Sequence, residues 1–121
     1  MSKRDTMLRS LRRQLGADYH IRTIDFEKCL YRDFGNGFNV EISGMHTSRQ
    51  DKTATLYLWI GDNPPSCMIV ETVHNVMRDD IGKVTDELFA YTEQLIRDGY
   101  GNRDALFYMK HPGLRTTNIN L

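Results

Sequence analysis

The side chains of this chain that could do chemistry are few and scattered. Two cysteines, Cys29 and Cys67, and four histidines, His20, His46, His74 and His111, supply its thiols and imidazoles. Nucleophilic catalysis needs a Ser or Cys near a base that a third group orients. Cys29 opens CLYRDF and Cys67 opens CMIVETV, and both stretches read as strands. A free thiol inside a strand is usually a small, inert hydrophobe. No glycine-flanked serine elbow occurs. Zinc sites announce themselves by close ligand spacing, and there is no C-x-x-C, H-x-x-x-H or H-E-x-x-H here. A zinc site would have to draw on Cys29, Cys67 and His74. Because Cys67 and His74 stand a strand's length apart, neither a metal nor a cofactor is expected.

The remaining chemistry is equally thin. The glycines of FGNGF join two strands, with no helix or lysine after them, so they serve a turn and not a phosphate cradle. The acids Asp79-Asp80 and Asp86-Glu87 fall at a helix start and on a helix's solvent side. Asp33 and Glu41 share a sheet face. Solvated acids account for all of them more simply than an acid/base pair does. The chain is therefore expected not to be an enzyme, and a small enzyme with a dispersed site is the last alternative.

The elements around these residues are easier to read. Residues 5–15 place Leu8, Leu11 and Leu15 at helical spacing, with Ser2 or Asp5 as the start and Gly16 as the stop. Residues 19–24 read as a short strand. Phe38 to Ser43 alternates apolar and polar, the pattern of a half-buried antiparallel strand. Its partner is 28–34. A two-residue loop at Asn36-Gly37 would set Asp33 against Val40. A three-residue loop over 35–37 instead pairs Phe34 with Phe38 and Leu30 with Ile42, and Gly37 supplies its left-handed residue. The second register is expected, with Arg32 opposite Val40 as its flaw, tolerable near a sheet edge.

Residues 45–52 form a polar loop. Thr53 to Ile60 is the strongest strand, and GDNPPS ends it. Cys67 to Val73 has apolar residues on both faces, which predicts a central strand. Residues 79–98 carry the stripe Ile81, Val84, Leu88, Tyr91 and Leu95, with Asp79 as N-cap and Gly99 as C-cap. A short helix over 102–110 follows, and His111-Pro112-Gly113 stops it. Residues 114–121 are expected to fray. The sum is one α+β domain over 1–121: a helix, an antiparallel meander of about five strands, a long helix and a short helix.

One face of that sheet holds Cys29, Tyr31, Asp33, Asn39, Glu41 and Ser43, joined by Thr55, Tyr57 and Trp59. Tyr and Trp are enriched where partners bind, and polar neighbours would make a rim. The face is either packed under a helix or open to a partner. If open, Tyr31, Tyr57 and Trp59 are the contact residues. Base stacking is the other use of sheet aromatics, but Asp33 and Glu41 would repel phosphate.

Net charge is zero, yet residues 1–15 carry +4 and the rest −4. Arg9, Arg12 and Arg13 lie off the leucine stripe and form a second, electrostatic contact. A nucleic-acid-binding regulator using this basic helix is the first alternative function. Two cysteines are too few for a disulfide scaffold, so a reducing, cytoplasmic location is expected. No apolar run approaches the roughly 20 residues that span a bilayer, so no membrane role is expected. In profile the chain resembles many small proteins of bacteria, phages and mobile elements, anti-CRISPR inhibitors among them. It implies a non-enzymatic binding protein that occupies a surface of a protein or nucleoprotein partner.

Overall fold

The computed structural model describes residues 2–61, 67–111 and 113. The chain runs α1 (Lys3–Leu15), β1 (His20–Ile24), β2 (Glu27–Asp33), β3 (Phe38–Ser43), β4 (Ala54–Ile60), β5 (Met68–Val76), a 3₁₀ turn (Arg78–Asp80), α2 (Ile81–Arg97) and α3 (Arg103–Lys110). The five strands form one antiparallel sheet in chain order, so the α+β meander is present as expected. No helix among the described residues is long and apolar enough to cross a membrane. The expected frayed tail, 114–121, lies outside the described residues.

Local chemistry explains most boundaries. The Ser2 side chain accepts from the Asp5 amide and caps α1, while Gly16, at φ 117°, ends it. The hairpin between β2 and β3 takes the three-residue loop. Leu30 pairs with Ile42 and Arg32 with Val40, and the Phe34 amide donates to the Phe38 carbonyl at 3.0 Å. Gly37 sits at φ 93°, where a side chain would be strained. The β1–β2 hairpin is tighter. Asp25 and Phe26 both have positive φ, so a two-residue primed turn closes it.

All three helices contribute to one core against one face of the sheet. Leu8 and Leu11 of α1, Ile81, Leu88 and Leu95 of α2, and Leu106 of α3 pack with Leu30, Phe38, Val40, Ile42, Leu56 and Leu58. Strand alternation does the sorting: Phe38, Val40 and Ile42 are fully buried on this face, and their neighbours point to the other.

Arg32 faces Val40 from β2, the strand next to the sheet edge. Its guanidinium lies over the rings of Tyr19, Phe34 and Phe89 at 5.4–5.7 Å and donates to Asp86 at 3.2 Å. Four expectations need correction. β5 is an edge strand, not a central one. Two register shifts put Val70 in the core and leave Ile69 on the opposite face, so apolar residues on both sides reflect bulges. Cys67 precedes β5. The α2 stripe runs Ile81, Thr85, Leu88, Thr92 and Leu95, leaving Tyr91 exposed. Asp79 lies in the 3₁₀ turn, and α2 starts after Asp80 without a side-chain cap.

The two stripe threonines differ. Thr92 Oγ1 accepts from Asn36 Nδ2 at 3.0 Å and donates to the Phe89 carbonyl. Thr85 is fully buried, and its Oγ1 has no hydrogen-bond partner among the described residues. A buried, unsatisfied hydroxyl costs stability, so Thr85→Val is expected to raise it by about 1 kcal/mol in urea unfolding. A loss of stability would show that the hydroxyl is satisfied.

Asp5 ties α1 to the sheet. Its Oδ1 accepts from Lys28 Nζ at 3.0 Å and lies 2.7 Å from His46 Nε2. Lys28 first, and His46 second, hold its carboxyl well below the usual carboxylate range, against the opposing effect of burial. A depressed pKa stabilises the fold above the ordinary value near ~4 and loses that contribution as pH falls below it. Asp5→Asn is therefore expected to flatten the acid limb of a stability–pH curve below about pH 4. An unchanged limb would show that the carboxylate contributes nothing.

Candidate partner-binding face

With the helices on one face, the aromatic face of the sheet carries no helix among the described residues. Pairing sets its side chains in rows across the strands. Tyr31, Glu41, Tyr57 and Thr72 make one row, and Asn39, Trp59 and Ile69 make the next. Between them lies a cleft of about 270 Å³, lined by Arg22, Tyr31, Asn39, Glu41, Trp59 and Cys67 among others. The sheet thus brings the expected aromatic residues together.

Their roles are unequal. Tyr31 is 8% exposed, and the Arg22 guanidinium lies over its ring at 3.8 Å from the centroid. Tyr31 therefore presents Arg22, while half-buried Tyr57 and Trp59 present their own surfaces. Asn39 is buried, and its Nδ2 donates to the Gly61 carbonyl at 3.1 Å, which secures the end of the β3–β4 pair. Glu41 accepts from Ser43 Oγ at 2.8 Å. The face therefore has an aromatic centre, the Arg22 cation, and the carboxylates of Glu27, Asp33 and Glu41 around them.

The sequence pattern alone does not mark Arg22 as part of this face. Only the tight Asp25-Phe26 turn, which pairs Arg22 with Cys29, brings it onto this face. A Gly-free primed turn leaves little sequence signal.

Cys29 and Cys67 are free thiols. Burial above all, with the Glu41 and Glu27 carboxylates adding, pushes the Cys29 thiol up to about 12. It stays protonated at neutral pH, which argues against a role as nucleophile or thiolate ligand. His74 lies exposed on β5. Among the described residues, no three His, Cys, Asp or Glu side chains come together as a metal-holding group.

The arginines of α1 belong elsewhere. Leu8 and Leu11 turn α1 into the helix layer. Arg9 and Arg13 are exposed, and Arg12 is partly buried with its Nε donating to the Tyr19 carbonyl at 2.9 Å. They line a separate groove of about 630 Å³ against β1. Comparison of the chain with protein-family models, curated proteins and solved structures gave no match.

Proposed function

We propose that this chain is a non-enzymatic binding protein that acts by occupying a surface of a protein or nucleoprotein partner through its open sheet face. One observation carries the reading: the rows containing Tyr57 and Trp59 lie on the sheet face opposite the three-helix core. Aromatic side chains with a polar surround are the composition of an interface centre and rim. Arg22 stands there with the carboxylates of Glu27, Asp33 and Glu41, a mix of signs that suits a protein surface better than a run of phosphates. Occupation is itself the proposed activity, the mode of small inhibitors carried by phages and mobile elements.

The test uses the tagged chain to capture partners from a lysate of the source organism, with and without nuclease. The captured partner is then titrated against the chain while emission from Trp59, the one tryptophan, is followed. A nuclease-resistant partner that shifts the emission supports the reading. A partner that saturates without moving it overturns the assignment of this face. A partner set that disappears with nuclease overturns protein recognition in favour of nucleic acid.

A further inference from the structure

We propose a second, independent binding site: the groove between α1 and the free edge of β1 takes an extended acidic peptide segment, added antiparallel or parallel as a sixth strand. It goes beyond the reading of the open sheet face.

Three observations converge there. First, β1 ends the sheet, and no described strand pairs with its outer edge. The primed turn makes Ile24–Glu27 the closing hydrogen-bonded pair, so Arg22–Cys29 and His20–Tyr31 are bonded pairs too. The N–H and C=O groups of Ile21 and Thr23 therefore aim outward, the spacing that a further strand requires.

Second, the groove beside this edge is cationic. Arg9, Arg12, Arg13 and His20 line it with Thr6 and Ile21. Arg9 and Arg13 stand one helical turn apart on the same face of α1 and are exposed. A strand with carboxylates on alternate residues would meet these guanidiniums while its main chain pairs with β1. Like charge disfavours a second copy of the chain, whose own arginines would come with its β1 edge.

Third, the two edges of the sheet differ. β5 is interrupted by two bulges, and the Val70 carbonyl accepts from Lys110 of α3. Those are devices that block strand addition. β1 pairs with β2 in regular register over all five residues, and four of the five are exposed. Among the described residues no Phe, Tyr or Trp lines the groove and His20 is its one ring, so the outward main-chain groups of β1 favour a peptide over a stacked nucleic acid.

The experiment follows fluorescence anisotropy of a labelled eight-residue peptide of alternating Glu and Val on the full chain. Three probes accompany it: the same peptide N-methylated at alternate residues, a Lys-for-Glu version, and an oligo-dT of equal charge. Only the unmodified acidic peptide is expected to bind. The double variant Arg9→Glu/Arg13→Glu should weaken it by about tenfold or more. Arg12 is left in place because it holds the Tyr19 carbonyl. Thr23→Pro, which keeps every α1 charge and removes one outward N–H, should also weaken binding. Circular dichroism checks that both variants are folded.

Equal binding of the N-methylated peptide would overturn strand addition. Binding of oligo-dT in preference to the peptide would overturn the peptide class. If the arginine variant self-associates while wild type ignores every peptide, the arginines merely guard the edge, and the proposal fails. Trp59→Ala should leave peptide binding unchanged, so failure here is distinct from failure of the open-face reading.

Discussion

Phe38→Ala is expected to destabilise the chain by about 3–5 kcal/mol, the range for truncating a buried phenylalanine. Phe38 is fully buried at the start of β3, paired with Ile60 and packed in the core shared by all three helices. Its carbonyl still accepts from the Phe34 amide in the variant, so the hairpin hydrogen bond is kept. The loss comes from transfer free energy and from the cavity left behind. For a domain of total stability about 5–15 kcal/mol, that is a third or more. Urea unfolding should show a lower midpoint at unchanged slope. A loss below about 1 kcal/mol would mean that this face of the sheet is not the one that holds the fold together.

Trp59→Ala is expected to do the reverse. Trp59 stands on the opposite face of the same sheet, half-buried, with Asn39 and Ile69 as its cross-strand neighbours. Cross-strand pairs are worth roughly 0.2–1 kcal/mol each, so stability should fall by about 1 kcal/mol. Partner affinity should fall by about 30-fold or more, the consequence of losing a hot spot worth about 2 kcal/mol. Titration calorimetry with the captured partner measures it. Met77→Ala, which removes another exposed apolar side chain that does not line the cleft, serves as the control and should leave affinity unchanged. A Trp59 variant that binds as wild type would remove the aromatic face from the interface. Together the two substitutions separate the face that folds the protein from the face proposed to work.

The amino-acid sequence by itself determined the order and kind of the elements and the β2–β3 register. Strict alternation in FNVEIS and the left-handed freedom of Gly37 are local properties, and they leave one register in which Leu30 meets Ile42. It also determined that Tyr31, Tyr57 and Trp59 share a face, because side chains on paired strands alternate with period two. The tertiary structure decided which face the helices cover. Both faces of β4 carry large apolar groups, aliphatic on one and aromatic on the other, and periodicity does not rank them. The aliphatic face lies in the core with all three helices, and the aromatic face does not.

Tertiary structure likewise decided the elements misread from pattern. β5 looks central because its bulges break the alternation, and a bulge is visible only against its partner strand. Tyr91 looks like core because helical spacing alone permits it. The side-chain bond from Asn36 instead helps place Thr92 in the buried stripe. The groove of α1 and β1 is the clearest case. Its arginines are plain in the sequence, but the strand edge beside them, which no described strand covers, exists only once the sheet has an end. Spacing along the chain reports local geometry, whereas which element lies at an edge depends on how every other element packs.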